Sequence, residues 1–567
     1  MNPAELLAFL SARGVELSVA VDRLHVDAPV GVLTPTLRAE LTTHKTEIIE
    51  LLRGLESAET RSAAPLQNAA RQHHLPVSFA QQGLWFLDQL MPGSPVSNMN
   101  AALRLTGPLD VAALERGFNE VVRRHEALRT TFATVEGLPF QVISPALSLE
   151  LPVLDLRHVP EEGRGRETLR LATEEAQRPF DLAKGPLVRT TLLRLGEEEH
   201  VLLLTMHHII SDGWSLGVFS REMTILYNAF SAGEASPLDE LPIQYADFAC
   251  RQRQWLQGAT LESLLSYWKQ QLARAPGPLE LPTDRPRPPV MTFKGAHKSF
   301  TLSPTLSESL KELSRREGVT LFMTLLSAYA TLLYRYTGQE DIFIGNNIAG
   351  RNRAEIAGLI GVFVNTLVIR IDLSGNPSFR ELLGRVRKAA LAAYDHQDLP
   401  FEKLVQELQP EFNLKHAPLA QVGFSMRNMP IPRLEFLGLT VSHMEIETGT
   451  ARTDLVLFIE DGLQDEGGRQ GVIEYNTDLF DSDTIDRMLE RLEMVLTTMA
   501  ADAEQRVNSF SLLKKGEREE GHPDKHIKGL RGDAEQLLVE LDQLSAEQVD
   551  LLLNEMLAEV KGMDNPF

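Results

Sequence analysis

Between Leu75 and Leu513 strand-like and helix-like periodicities alternate along the chain, and a proline-rich stretch, Pro276–Pro289, interrupts them near the middle. Alternation over such a length points to an α/β region, and the proline run reads as the connection between two lobes. Strand-like runs include Val201–Met206, Asp341–Ile344, Thr366–Ile371 and Leu455–Ile459; helical runs include Ala112–Glu126, Leu306–Glu317 and Thr484–Met499. No internal repeat is visible, so two lobes of one fold would have to share it without sequence similarity.

Residues 1–55 read as a separate small unit. Leu6, Leu7, Phe9 and Leu10 recur at helical spacing until Gly14. Val15, Leu17 and Val19 alternate with polar residues, and Leu24, His25 and Val26 follow Asp22, which predicts a short hairpin closed by Ala28-Pro29. Thr34 as N-cap and Pro35 at the first helical position open a second helix, faced by Leu37, Leu41, Ile48, Ile49, Leu51 and Leu52. Residues 56–74 and 514–533 are polar and aperiodic and read as linkers. Residues 534–567 read as helical. Ser545 and Gln548 make a capping box, and Val549, Leu552, Leu553, Met556, Leu557 and Val560 form one apolar stripe. A lone helix of about 15 residues is marginal in water, so this stripe is expected to dock onto something.

Composition removes several classes of function. Lys and Arg number 56 against 78 Asp and Glu, a net charge of −22, which repels phosphate backbones and argues against nucleic acid as a partner. The single cysteine, Cys250, excludes a disulfide framework and a cysteine-rich zinc site and favours a reducing compartment. No segment reaches the roughly 18 uncharged apolar residues that would span a bilayer; the nearest, Leu321–Tyr336, holds Thr324, Ser327, Thr331 and Arg335. No basic stretch precedes the first apolar residues, so the N-terminus does not read as a signal peptide. A cytoplasmic protein without a membrane partner is expected.

Chemistry concentrates in Met206-His207-His208-Ile209-Ile210-Ser211-Asp212-Gly213-Trp214-Ser215, directly after the apolar run Val201–Thr205. Successive side chains on a strand point to opposite faces, so His207 and His208 cannot both face one cavity if the strand continues through them. One is expected to pack inward and the other to line a site. Asp212 stands where the strand has ended, and Gly213 permits close backbone approach or a positive φ. A lone histidine beside a strand is most often a satisfied core or surface residue. A metal site is poorly served, because adjacent strand side chains diverge and only Asp212 is nearby as a further ligand. A Ser-His-Asp triad needs a nucleophile elbow of the Gly-x-Ser-x-Gly kind, and the sequence is read as having none. What remains is a histidine acting without a covalent nucleophile, as general base or as an orienting and electrostatic group for direct acyl transfer.

This segment resembles the His-His-x-x-x-Asp-Gly signature of nonribosomal peptide synthetase condensation domains, relatives of chloramphenicol acetyltransferase. Further segments resemble the family's motifs in the expected order. They are Ser78-Phe79-Ala80-Gln81-Gln82-Gly83-Leu84-Trp85-Phe86-Leu87, Arg124-His125-Glu126-Ala127-Leu128-Arg129-Thr130-Thr131-Phe132, Gly361-Val362-Phe363-Val364-Asn365-Thr366, His396-Gln397-Asp398-Leu399-Pro400-Phe401-Glu402 and Tyr475-Asn476-Thr477-Asp478-Leu479-Phe480. Two departures stand out: Gly83 occupies a place where the family usually has arginine, and Asn346-Asn347 replace a pair that is more often Thr-Pro.

The resemblance implies an α/β fold of two chloramphenicol-acetyltransferase-like lobes forming a V with a central tunnel, residues 75–270 as N-lobe and 271–513 as C-lobe. It adds a small α+β N-terminal docking domain and a helical C-terminal tail. It implies an acyltransferase that joins a donor acyl or peptidyl thioester to an acceptor aminoacyl thioester. The substrates arrive on the phosphopantetheine arms of donor and acceptor carrier proteins, and the chain itself binds no cofactor and no metal. His208 becomes the catalytic residue. His207 and Asp212 become structural, with Arg351 as the partner of Asp212, and Gly213 lets the pantetheine-bound substrate approach the backbone. Trp214, Ser215 and Asn365 are assigned to the substrate tunnel. Heterocyclisation members carry an aspartate-rich motif in place of the histidines, and epimerisation members add a segment of which Glu520-Gly521-His522 is read as an accidental echo. The wording around His208 and Trp85 resembles members that accept an L-configured donor.

Residues 1–55 resemble the N-terminal docking domains of hybrid peptide and polyketide synthetase subunits, through Asp22-Arg23-Leu24-His25-Val26 and Leu33-Thr34-Pro35. This implies an upstream subunit with an acidic C-terminal segment, met by Arg13, Arg23, His25 and Lys45. The segment Leu544 to Glu559 resembles the C-terminal helices of other subunits and implies a downstream partner. The whole is expected to be a free-standing condensation protein. The alternatives are a chain-releasing acyltransferase using a soluble amine or alcohol, or an inactive recruitment platform; the intact His207, His208, Asp212 and Gly213 argue against the last.

Overall fold

The computed structural model describes residues 75–510, apart from 274–276, 409–414, 428–433 and 464–467, together with two strands near the N-terminus. The chain divides into two compact units, Met1–Asn68 and Ala69–Phe567. In the first, Glu16–Ala20 pairs antiparallel with Arg23–Asp27, Ser18 opposite His25 and Ala20 opposite Arg23. This is the hairpin expected around Asp22. Arg13, Lys45, the two flanking helices, both linkers, Glu520-Gly521-His522 and the tail 534–567 lie outside the described residues.

The second unit carries two large sheets. The first has five strands in the order Thr440–Met444, Asn98–Thr106, Glu199–His207, Val188–Arg194 and Val153–Asp155. Its central strand Glu199–His207 is buried on both faces, which is why Val201–Met206 reads as an unbroken apolar run rather than an alternation. Leu202, Leu204 and Met206 join a core with Leu114, Phe118 and Val121 of the helix Val111–Arg124 and Val218, Met223 and Leu226 of the helix Gly213–Ser231. Val201 and Leu203 pack on the other side with Ala172 of the helix Glu161–Gln177.

The second sheet has six strands in the order Gly295–Leu302, Arg469–Asn476, Leu455–Leu463, Val422–Arg427, Asp341–Ile348 and Asn365–Asp372. The helix Leu321–Thr337 is buried along almost all of its length against this sheet's core. Its hydroxyls do not contradict that setting, because Ser327 Oγ donates to Met323 O at 2.7 Å and Thr331 Oγ1 to Ser327 O at 2.8 Å. A membrane-like run in the sequence is thus a core helix. Among the described residues no single helix is long and apolar enough to cross a membrane.

The division into 75–270 and 271–513 needs one correction. Thr440–Met444 does not join the second sheet. It crosses to the first, pairing antiparallel with Asn98–Thr106 so that Met444 lies opposite Ala102. Just before it, Phe436 is buried in the first lobe's core with its ring centroid 4.5 Å from that of Tyr227. The sequence reading named neither this strand nor its partner, because the edge of Asn98–Thr106 carries no mark of which distant segment covers it.

Candidate active site

The central strand ends at His207, and His208–Ile210 form a single 3-10 turn. The two histidines therefore diverge because the backbone leaves the strand between them. His207 is buried; its Nδ1 accepts the Ile209 N–H at 3.1 Å, and its ring meets Phe180 edge-on. His208 Nδ1 lies 2.7 Å from the Ser211 carbonyl. A carbonyl can only accept, so Nδ1 holds the proton and Nε2 presents a lone pair. That Nε2 makes no hydrogen bond among the described residues. Both rings are less basic than an ordinary histidine. Burial is the main cause, and for His207 the neighbouring His208 and Arg452 add to it. His208 is pushed down to about 4 by burial and then by Arg452, against the opposing pull of the Ser211 carbonyl and Asp212.

Asp212 caps the helix Gly213–Ser231, its Oδ1 accepting from Ser215 N at 2.8 Å. The same oxygen lies 3.1 Å from Arg351 Nη2, and Oδ2 accepts from Phe363 N at 2.9 Å. The side chains of Asp212 and Arg351 are 2% and 0% exposed. Arg351 Nη1 also donates to the carbonyls of Ile356 and Leu359, both at 2.7 Å. Asp212 and Arg351 thus come together in a buried clamp that pins residues 351–363 of the second lobe onto the helix N-terminus of the first.

Ser215 belongs to this clamp and not to a tunnel wall. It is fully buried, with Oγ 2.7 Å from Asp212 Oδ1, 2.8 Å from Gly361 O and 2.8 Å from Arg351 Nη2. The expectation that no Gly-x-Ser-x-Gly spacing occurs is corrected, because Gly213-Trp214-Ser215-Leu216-Gly217 carries it. A nucleophile must be exposed and bonded to its base, whereas this hydroxyl is enclosed and has no bond to either histidine, so the triad is excluded by geometry. Trp214 Nε1 donates to Ala357 O at 2.9 Å, and its ring packs on the first lobe's core. The amide of Asn365 is fully engaged: Nδ2 donates to the carbonyls of Gln397 and Leu399, and Oδ1 accepts from Thr366 N and Phe401 N. It staples the segment 397–401 instead of offering a polar group to a ligand. Gly213 has no positive φ, and a Cβ there would meet nothing within 4 Å, so of its two expected uses only close approach by a ligand is left.

Two further ties between the lobes use residues of the quoted motif segments to which the sequence reading gave no role. Tyr245 Oη lies 2.7 Å from Ser78 Oγ and donates to Val362 O at 2.7 Å. His125 Nδ1 accepts Ile360 N–H at 3.2 Å, which leaves its Nε2 as donor to Glu222 Oε2 at 3.0 Å. Gly361 is glycine because a Cβ would stand 2.0 Å from the Tyr245 ring. Gly361→Ala is expected to cost about 1–3 kcal/mol through overpacking, read as a lower denaturation midpoint, and Gly361→Ala with Tyr245→Ala should recover part of it.

Residues 71–520 match the Condensation domain family, and residues 4–54 match the TubC N-terminal docking domain. The chain belongs to the condensation-domain family. Condensation domains are amide-bond-forming acyltransferases. A linear gramicidin synthase protein of Brevibacillus parabrevis is 48% identical over 477 residues, which cover 84% of this chain and 6% of that protein. Phosphinothricin tripeptide synthetase PhsC of Streptomyces viridochromogenes is 43% identical over 78% of this chain and 41% of its own length. The chain therefore spans less than half of either relative. The crystal structure of the X-domain from teicoplanin biosynthesis superposes with a TM-score of 0.73 at 30% identity, covering 79% of this chain and all of that one. This condensation domain thus has the two-lobed chloramphenicol-acetyltransferase-like fold.

Proposed function

We propose that this condensation domain joins a donor acyl or peptidyl thioester to the α-amine of an acceptor aminoacyl thioester, each carried on the phosphopantetheine arm of a carrier protein. The observation that carries this reading is His208, whose Nε2 lone pair is left unengaged while Nδ1–H is tied to Ser211. That nitrogen can accept an N–H of the incoming amine and aim the amine's own lone pair at the thioester carbon. Its weak basicity makes it an orienting group. Burial and the charge of Arg452 disfavour the protonated ring, so it is poorly suited to take the proton of an α-ammonium, which ordinarily titrates near 8. His207 and the Asp212–Arg351 clamp hold the turn, and Gly213 leaves room for the pantetheine arm. The test is amide formation by the full chain from two loaded carrier proteins supplied separately, followed by mass spectrometry. Transfer to a soluble amine or alcohol with no acceptor carrier would favour chain release instead.

A pH profile separates orientation from proton abstraction. Transfer rate is expected to follow deprotonation of the acceptor amine up to about pH 8, with no inflection near 6.5 from His208. Stability carries its own signature. His207 and His208 are held neutral when folded and protonate near 6.5 when unfolded. The unfolded chain binds more protons below that pH, so the melting temperature should be flat above pH 7 and fall between about 6.5 and 4.

The match to a docking domain supports a donor delivered by an upstream subunit, with Arg13, Arg23, His25 and Lys45 meeting an acidic segment. The tail Leu544 to Glu559 is proposed to meet a downstream subunit. Removing residues 1–55 should weaken upstream pairing in a salt-sensitive way, and high donor-carrier concentration should restore activity, since docking only raises effective concentration. Loss that no donor concentration restores would put the N-terminal unit inside the catalytic fold.

A further inference from the structure

Arg452 reaches the histidine turn from a distant part of the chain. It follows the crossing strand Thr440–Met444, and its backbone N–H donates to Glu474 Oε1 at 3.3 Å. Its Nε lies 3.4 Å from Val96 O and its Nη2 3.4 Å from Ser97 Oγ. Both contacts are at the outer limit of hydrogen bonding, and both acceptors are uncharged. The carboxylate whose charge it feels is Glu474, itself held by His297 Nε2 at 3.3 Å.

The placement follows from the sheet register. Ser97 directly precedes Asn98, which lies opposite His207. The ladder ends at that pair, with Ser97 in one 3-10 turn and His208 in another just beyond it, so a guanidinium resting on Ser97 lies at the strand end from which the histidine turn leaves. Its charge is felt by both rings. Arginine keeps its proton under all ordinary conditions. A permanent, half-buried cation therefore stands close to a neutral imidazole whose Nε2 is unengaged.

A half-buried guanidinium whose own hydrogen bonds are long and go to neutral acceptors is most useful where negative charge appears during a reaction. We propose that Arg452 is a catalytic residue that stabilises the oxyanion of the acyl transfer. The proposal rests on the amide-forming reading. When the acceptor nitrogen bonds to the thioester carbon, the carbonyl π pair moves onto oxygen, and Arg452 meets that oxygen with an N–H. On collapse the pair returns to the carbonyl and the C–S bond breaks. The departing pantetheine thiolate takes up, directly or through water, the proton that the nitrogen sheds. His208 and Arg452 then divide the work, one accepting from the nucleophile and the other donating to the developing charge.

The test compares Arg452→Met and Arg452→Lys in the full chain, by single-turnover transfer between loaded carriers, thermal melting and NMR titration of the histidines. Arg452→Met should slow transfer by ~10²–10³-fold without changing the melting temperature or the apparent Kd for the donor carrier. It should also move the His208 midpoint upward, with Asp212, His207 and the Ser211 carbonyl left as the groups facing that ring. Arg452→Lys should stay within about tenfold of the parent, because it keeps a donor and the charge. Transfer by the Met variant close to the parent's, or equal losses in both variants, overturns the proposal. If the parent joins no pair of carriers at all, the amide-forming reading fails by itself. The titration still decides the placement then: a His208 midpoint unmoved in Arg452→Met overturns it.

Discussion

His208→Ala is expected to lower amide formation by on the order of 10²-fold or more while the protein stays folded. The ring's bond to the rest of the chain is a single one, Nδ1 to Ser211 O, and losing it costs about 0.5–1.5 kcal/mol. Its removal takes away the acceptor that fixes the amine, and misplacement by about 1 Å is enough for a loss of this size. His208→Gln retains an acceptor without the ring's geometry and should fall between parent and alanine. The measurement is initial rate with saturating carriers, beside a melting curve of each variant. Near-parental turnover by a folded alanine variant would remove His208 from the mechanism and leave the family assignment standing.

Asp212→Ala is expected to act on stability first. Arg351 would keep its charge in a site where its side chain is 0% exposed, and breaking a buried pair by removing one partner costs ~3–5 kcal/mol. The variant also strips the cap from Ser215 N and the acceptor from Phe363 N, which together release the loop 351–363. Activity should fall with the melting temperature and recover in part at low temperature. Asp212→Leu combined with Arg351→Met, which leaves no buried charge unmatched, should be more stable than Asp212→Ala alone. Lost activity at an unchanged melting temperature would instead make Asp212 a direct participant in the reaction.

Local signals in the sequence located the described elements well. The apolar run before His207 and the turn at Asp22 both report on neighbours within a few residues, and the four strand-like runs named from the sequence fall inside observed strands while the three helical runs overlap observed helices. The pairing of Asp212 with Arg351 came from family resemblance alone, since their separation in the chain carries no spacing rule. Ser215 and Asn365 were misplaced for a shared reason. A polar side chain near a motif reads as ligand-facing, and only coordinates reveal that its hydrogen bonds are already used by Gly361, Arg351, Gln397 and Leu399. Arg452 gave no sign at all, because its role depends on a strand that leaves its own lobe.

That strand also sets the order in which the molecule can be completed. Asn98–Thr106 leaves the ribosome early, yet its neighbour Thr440–Met444 is made only after most of the second lobe. Throughout that interval the five-stranded sheet has an open edge, and open edges recruit other chains. A fragment ending near residue 270 is therefore expected to aggregate when expressed alone, and addition of the peptide 434–452 to it should raise its soluble yield. Chimeras that exchange one lobe at the proline-rich connection would separate a sheet from its own last strand. A viable exchange has to carry 434–452 along with residues 75–270, even though the two stretches are far apart in the coding sequence.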